Sequence, residues 1–330
     1  MLGGGSWGTA LAVHLARAGH SVGLWLRDKG VADEIRLRRE NTAYLPGIAV
    51  PDGVVPSLDL GEACRAAELA LVVIPSQFCR EVYRGLKHAL PPEAGLVSAT
   101  KGLELQSWLR MTEVASEEAP GRARAVLSGP SFALEVGLGQ PTAVVIASSD
   151  AGFAESLQRA VSTPSFRAYA SDDVVGVELA GALKNVIAIA AGIVDGLGLG
   201  HNTVAALITR GLAEIARLGV AAGGRTDTFA GLAGLGDLVL TCTGQLSRNR
   251  RLGQGLGRGQ SLAAATQALG DSRGHAMVAE GVLTTLAACA LAAQAGVEMP
   301  IAAAMRKVLH EGRPPREAVL ALMSRSLKRE

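Results

Sequence analysis

The period of the apolar positions changes partway along the chain. Up to about residue 170, short apolar runs alternate with stretches in which apolar residues recur every three or four positions. Residues 69–74 form a continuous apolar run that stops at Pro75-Ser76. Residues 95–100 stop at Lys101-Gly102, and residues 125–127 stop at Ser128-Gly129-Pro130-Ser131. Residues 143–146 follow, and a last strand-like stretch covers residues 166–169. All-apolar runs of this length suit strands of a sheet covered on both faces. Amphipathic stretches at 77–90 and 103–119 predict helices between them. Near the start, residues 9–20 read as a helix ending at the Gly19 stop, and residues 21–26 alternate like a strand. The predicted fold class is α/β, with a doubly wound, Rossmann-type sheet.

Beyond residue 170 the strand signal disappears and helical periodicity continues. Helices are predicted over residues 172–197, 202–221, 246–256, 261–269, 279–295 and 301–312, with a last short helix after the break at Arg313-Pro314-Pro315. The expected organisation is a nucleotide-binding part, residues 1–170, followed by an all-helical part, residues 171–330. The most apolar run, residues 186–194, is too short for a bilayer and is followed by Asp195, so it reads as a buried helix; no stable membrane insertion is expected.

The sequence opens on Gly3-Gly4-Gly5-Ser6-Trp7-Gly8, a G-x-G-x-x-G directly ahead of the first predicted helix. Gly3 permits a tight turn, Gly5 lets a pyrophosphate approach the backbone, and Gly8 lets helix and sheet pack closely. A glycine-rich turn in some other α/β protein is the competing reading. A strand should precede this loop, yet only Met1-Leu2 stands there. Two residues are too few for a central parallel strand, which points to a start assigned too late or a trimmed N-terminus.

Composition narrows the function classes. The 330 residues are 48% hydrophobic and 19% charged, which describes a well-buried globular protein. A net charge of +2 and 3% aromatic residues give neither a basic nucleic-acid surface nor base-stacking platforms. Cys64, Cys79, Cys242 and Cys289 make no C-x-x-C pair, and the histidines show no ligand spacing, so no metal is proposed. With no basic-then-apolar leader, a reducing cytoplasm is the expected location.

The candidate chemistry gathers where strands end. In an open α/β sheet, ligands sit beyond the carboxyl ends of the strands. The glycine loop, Arg27, Ser76, Lys101 and the Ser128–Ser131 turn all fall there. Ser131 alternatively caps a helix starting at Phe132, and Lys101 alternatively lies on the surface. In the helical part, Lys184 and Asn185 are the only strong hydrogen-bonding side chains from Leu179 to Val194. A helix apolar on every side is buried, and burial can lower a lysine pKa by as much as ~3–5. That brings it into the range of acid–base work near neutral pH; a lysine whose head snorkels to water is the alternative. Gly231-Leu232-Ala233-Gly234-Leu235-Gly236 runs into Asp237, which either caps the next helical turn or reaches Lys184. Thr241 lies four residues on, along the same face. Ser247-Arg248-Asn249-Arg250-Arg251 is either a solvated basic face or a phosphate site, since guanidinium forks, hydroxyl and amide groups suit phosphate.

Taken together, these motifs resemble the soluble, bacterial NAD(P)-dependent glycerol-3-phosphate dehydrogenases. The similarity runs through residues 3–11, Tyr44-Leu45-Pro46-Gly47, Pro75-Ser76-Gln77, residues 98–102 and residues 127–133. It continues through residues 182–186, 231–237 and 246–250. The resemblance implies that Lys184 is the catalytic acid–base, with Lys101 and Asp237 beside it. It implies substrate contacts from Lys101, Gly129, Ser131, Lys184, Asn185, Asp237, Thr241, Ser247, Arg248 and Asn249. It also implies that NAD or NADP is held by Gly3, Gly5, Ser6, Trp7, Gly8, Arg27, Tyr44, Lys101, Ala133, Arg248, Val278 and Glu280. The implied partners are dihydroxyacetone phosphate and sn-glycerol 3-phosphate, a phospholipid precursor. A homodimer is compatible with the family, although no residue pattern defines an interface. Two departures stand out: the first strand, and Asp28 after Arg27. Arg27 would pair with a 2′-phosphate, whereas Asp28 turned inward would accept from a ribose 2′-hydroxyl and repel that phosphate. Ketopantoate reductases and hydroxyacid dehydrogenases are the neighbouring alternative, and a non-catalytic NAD(P)-binding sensor is the more distant one.

Overall fold

The computed structural model describes residues 1–270 and 279–326. Among the described residues, seven strands form the sheet: β1 Val22–Trp25, β2 Val54–Ser57, β3 Leu69–Val72, β4 Gly95–Ser98, β5 Arg124–Ser128, β6 Thr142–Ala147 and β7 Phe166–Ser171. Leu2 bridges in parallel to Trp25 on one side and to Val72 on the other. The order across the sheet is therefore β2-β1-Leu2-β3-β4-β5-β6-β7.

This corrects the expectation that Met1-Leu2 could not serve as the central strand. Leu2 N–H donates to Leu71 O at 2.8 Å, Val73 N–H donates to Leu2 O at 2.8 Å, Gly3 N–H donates to Trp25 O and Trp25 N–H to Met1 O. One residue with both neighbours in register is enough to close the ladder and carry the chain into the glycine loop.

Strands β3 to β5 are parallel, β6 runs antiparallel to β5, and β7 is parallel to β6. The sheet is thus mixed at this end. Alternation explains the all-apolar runs: Leu71 and Val97 face one core, while Ala70, Val72 and Leu96 face the other. Helices Ser6–Arg17 and Lys29–Arg38 cover the first face, and Cys79–Ala89 and Met111–Glu118 cover the second.

Sequence periodicity missed β2, which contains Pro56, and the helix Lys29–Arg38. It overran the helix at Met111–Glu118: residues 103–110 form a loop pinned by a Leu103–Arg110 bridge, with Gln106 at φ 77° and Trp108 at φ 61°. Left-handed residues cannot continue a helix. The first helix starts at Ser6 rather than residue 9, because the end of the glycine loop already winds into it.

The helices that follow β7 gather around Val174–Gly196, which is buried along nearly its whole length. It is long and apolar enough to cross a membrane by composition, but it is wrapped by Gly200–Ala221, Asp237–Thr243, Arg248–Gly257, Glu280–Ala295 and Pro300–His310. The approach of Arg248–Gly257 depends on glycine. A Cβ at Gly192 would lie 1.9 Å from Arg250 O, and one at Gly253 would lie 2.0 Å from Ile189 O. Backbone-to-backbone contact of this kind fixes how the start of one helix meets the Lys184–Asn185 turn of the other.

Candidate active site

The glycine loop opens at the switch point of the sheet, between Leu2 and β3. A Cβ at Gly8 would lie 1.9 Å from Gly3 O, so the helix starts hard against the loop. At Gly5 a Cβ would meet nothing within 4 Å, so that side is open. Gly5 is also the N-cap and offers no side-chain cap, leaving the first N–H groups of a 12-residue helix facing the opening. Trp7 Nε1 is buried without a partner. Open backbone, free N–H groups and an orphaned indole N–H fit a dinucleotide pyrophosphate.

Trp7, Tyr44 and Ala133 all pack on the edge of the same apolar cluster beside this loop. Ser6 Oγ donates to Tyr44 O at 2.6 Å. Asn41 braces the arrangement: its Nδ2 donates to Gly4 O at 2.9 Å and to Thr9 Oγ1 at 2.8 Å, and its Oδ1 accepts from Tyr44 N–H at 3.2 Å. Sequence reasoning overlooked Asn41; its only signal was a polar amide just ahead of Tyr44-Leu45-Pro46-Gly47.

Past β1, the guanidinium of Arg27 lies over the Phe78 ring, 5.0 Å from its centroid. Asp28 follows at the start of the next helix. Its Oδ1 accepts the Val31 N–H at 3.1 Å and caps the helix Lys29–Arg38.

Three residues from different elements meet at Asp237. Lys184 Nζ donates to Asp237 Oδ1 at 2.5 Å and to Thr241 Oγ1 at 2.7 Å. Lys101 Nζ donates to Asp237 Oδ2 at 2.8 Å, to Gly129 O at 2.8 Å and to Ser131 Oγ at 3.3 Å. Asp237 therefore does not cap its helix: Gly236 holds the N-cap position, and a π-helical turn over Leu232–Gly236 aims the carboxylate at the lysines. Ser131 caps nothing either, since Phe132 is the N-cap of Ala133–Gly137. Lys101 is not a free surface lysine, and its three N–H groups all meet protein acceptors. Lys184 is 6% exposed and does not snorkel. Burial lowers its pKa to about 8, with Asp237 opposing that fall and Lys101 adding to it. Burial alone would raise the Asp237 carboxyl, but the charges and N–H groups of Lys101 and Lys184 outweigh it and hold the pKa below the ordinary value.

The Ser247-to-Arg251 run divides by role. Ser247 caps its helix by accepting the Arg250 N–H at 3.2 Å. Arg250 pairs with Asp195 at 3.0 Å. Arg248 is accessible to solvent, yet the surrounding protein lowers its pKa, with Glu280 pulling the other way. Asn249 Nδ2 donates to Asn185 Oδ1 at 2.9 Å, which brings this run to the Lys184–Asn185 turn. Asn185 Nδ2 donates to Lys101 O at 3.1 Å and to Gly181 O at 3.4 Å. Glu280 accepts Ser76 N–H at 3.0 Å and Ser76 Oγ–H at 2.7 Å; burial pushes its pKa up. Val278 lies outside the described residues. No group of three or more metal-ligating side chains occurs among the described residues.

A glycine loop at the switch point of an α/β sheet, together with a buried lysine–carboxylate pair, fits a nicotinamide-dependent dehydrogenase. Comparison with known proteins narrows the class. Residues 1–154 match the family described as NAD-dependent glycerol-3-phosphate dehydrogenase N-terminus, and residues 173–320 match its C-terminus. Glycerol-3-phosphate dehydrogenase [NAD(P)+] of Geobacter sulfurreducens is 53% identical, covering 100% of this chain and 98% of that protein. The enzyme of the same name from Koribacter versatilis is 53% identical over 98% of this chain and 96% of its own length. The crystal structure of glycerol-3-phosphate dehydrogenase from Coxiella burnetii superposes with a TM-score of 0.93 at 42% identity, covering 98% of each chain. The chain belongs to the NAD-dependent glycerol-3-phosphate dehydrogenase family.

Proposed function

We propose that this chain interconverts dihydroxyacetone phosphate and sn-glycerol 3-phosphate with NAD(P), with Lys184 as the acid–base. In this reading residues 1–170 hold the cofactor, and residues 171–330 bring the substrate groups to it. Ser6, Trp7 and the Gly3, Gly5 and Gly8 backbone hold the pyrophosphate. Arg27, Tyr44, Ala133 and Glu280 line its flanks. The nicotinamide, when bound, supplies or accepts a hydride.

The chain's own residues handle charge and protons. Reduction of the ketone builds negative charge on its oxygen. Lys184 as ammonium has three N–H groups; Asp237 and Thr241 take two, leaving the third for that oxygen. Lys184 then gives up its proton, and in oxidation the neutral amine takes one back. Lys101 spends its N–H groups on Gly129, Ser131 and Asp237, so it fixes the carboxylate and adds positive field rather than moving a proton. The arrangement Lys184–Asp237–Lys101 carries one net positive charge before substrate arrives, which suits a phosphorylated substrate. Arg248 is the best-placed group for the phosphate, supported by Ser247 and Asn249. Remote binding energy at the phosphate orients the ketone for attack.

The observation that carries this reading is Lys184, buried and held between Asp237 and Thr241. Its test is the initial rate of dihydroxyacetone phosphate reduction with NADPH and NADH, beside ketopantoate and simple 2-keto acids. Turnover confined to the phosphate substrate supports it. Turnover only of the carboxylate substrates, or cofactor binding without any turnover, overturns it. A cytoplasmic supplier of glycerol 3-phosphate for phospholipid synthesis, acting as a homodimer, is the setting we infer from family membership.

A further inference from the structure

Lys101 sits inside a closed ring of hydrogen bonds that crosses between the sheet and the helices twice. Starting at its carbonyl, Lys101 O accepts from Asn185 Nδ2 at 3.1 Å, and Asn185 Oδ1 accepts from Asn249 Nδ2 at 2.9 Å. Asn249 Oδ1 accepts the Gly281 N–H at 3.1 Å. The neighbouring Glu280 takes both the N–H and the hydroxyl of Ser76. Ser76 Oγ accepts from Gln77 Nε2 at 3.0 Å, and Gln77 Nε2 also donates to Leu103 O at 3.1 Å. Gln77 Oε1 accepts the Leu105 N–H at 3.0 Å. The chain from Leu103 through Gly102 back to Lys101 closes the ring.

Space inside the ring is fully used. A Cβ at Gly102 would lie 2.7 Å from both Glu280 Oε2 and Ser76 Oγ. The loop that follows is itself constrained, with Gln106 and Trp108 left-handed and Trp108 packed against the helical core. A backbone held on both sides in this way fixes where the Lys101 side chain starts. It reaches Asp237 Oδ2 across 136 positions of sequence.

We infer that Gln77 and Ser76 are positioning residues of the reaction: they hold the Lys101–Leu105 backbone so that the Lys101 ammonium stays on Asp237. They contact neither Asp237 nor Lys184 themselves, and their influence passes through Lys101. The inference rests on the assignment of Lys184 as acid–base.

Its consequence is electrostatic. The groups facing the Lys184 amine are Asp237, Thr241 and Cys242 from one helix and Lys101 from the β4 loop. Release of Lys101 removes a like charge and gives Lys184 sole use of the carboxylate. Both changes favour the ammonium, so the Lys184 pKa rises.

The experiment compares wild type, Gln77→Ala, Ser76→Ala and Lys101→Ala for glycerol 3-phosphate oxidation across pH 6.5–10.5. NADPH binding by fluorescence confirms that each variant is folded. Gln77→Ala is expected to lower kcat about tenfold, since small misplacements near the reacting groups cost up to about a hundredfold. Its rising limb moves to higher pH, as does that of Lys101→Ala, and Ser76→Ala shifts in the same direction by less. A wild-type limb and kcat in Gln77→Ala, beside a shifted limb in Lys101→Ala, overturns the inference while leaving the acid–base assignment standing. Wild-type limbs in both Gln77→Ala and Lys101→Ala overturn the assignment and the inference together. If Gln77→Ala does not bind NADPH, Ser76→Ala decides alone: an unchanged limb overturns the inference.

Discussion

Lys184 Nζ lies 2.5 Å from Asp237 Oδ1, in a place where the lysine is 6% exposed and the aspartate 1%. The contact is short, yet burial still dominates the lysine and leaves its pKa at about 8. A group poised there exchanges protons readily near neutral pH. Glycerol 3-phosphate oxidation, which needs the neutral amine, is expected to rise through pH 8; ketone reduction, which needs the ammonium, is expected to fall through the same range. Lys184→Ala should cut kcat by about 10²–10⁴ while NADPH binding measured by fluorescence persists. Near-normal turnover in that variant would remove Lys184 from the mechanism.

Replacing Asp237 with Asn tests the pair from the other side. The amide keeps the shape but loses the charge that holds the lysine pKa up. Lys184 should titrate below 8, and the rising limb of the oxidation profile should move to lower pH, opposite to the effect of removing Lys101. Lys101 and Lys184 would then face each other without a shared anion, so kcat should also fall, by about a hundredfold or more. A limb that stays in place or moves upward would contradict the electrostatic account.

Arg27 is the group to test for cofactor choice, while Asp28 Oδ1 caps the next helix. Stacking on Phe78 holds the guanidinium at the end of β1, the part of such sheets that meets the adenosine ribose. Arg27→Ala is expected to lower kcat/KM for NADPH by about ten- to a hundredfold, the worth of one charged hydrogen bond. The value for NADH should change much less. Equal losses with both cofactors would assign Arg27 a structural role instead.

Arg248 should act on binding rather than on chemistry. It is exposed, one residue from the Asn249–Asn185 link, and no ion pair holds it among the described residues. Arg248→Ala is expected to raise KM for dihydroxyacetone phosphate by about ten- to a hundredfold, as loss of a charged phosphate contact does, with a smaller rise for the cofactor. Steady-state kinetics with varied phosphate substrate measures this, and an unchanged KM would move phosphate recognition elsewhere.

Much of this was readable in the sequence, and the limits have physical causes. The glycine loop, the strand ends at Lys101 and Ser128–Ser131, and a lysine on a helix apolar all round are local patterns, and each marked its place. What local pattern could not supply was partnership across the chain. Asp237 read equally well as a cap or as a lysine partner, and only the π-helical turn at Leu232–Gly236 decides between them. Asn185 looked like a ligand contact, and its amide also ties Lys101, Gly181 and Asn249 together. Gln77 and Asn41 brace backbone far away in sequence, and periodicity carries no signal for that. Leu2 shows the same limit in the fold: two residues look too short for a strand until both neighbouring strands are in place.

Glu214 makes a prediction about stability rather than catalysis. On the helix Gly200–Ala221, its buried carboxyl accepts the Ile301 N–H at 2.8 Å and the Ala302 N–H at 3.3 Å, in the first turn of Pro300–His310. Burial raises its pKa from 4.5 to about 7 despite those donors. Between these values the folded chain keeps a proton that the unfolded chain has lost. Folding is therefore favoured at the acid end of the window, and Glu214's contribution declines as pH rises from about 4.5 to 7, then levels off. The full span is on the order of 3 kcal/mol. Thermal midpoints at pH 5 and pH 7.5 for wild type and Glu214→Gln isolate it from other titrating groups. The variant should lose less stability than wild type across that interval. A wild-type drop no larger than that of Glu214→Gln would mean that the two backbone donors hold the carboxylate ionised throughout.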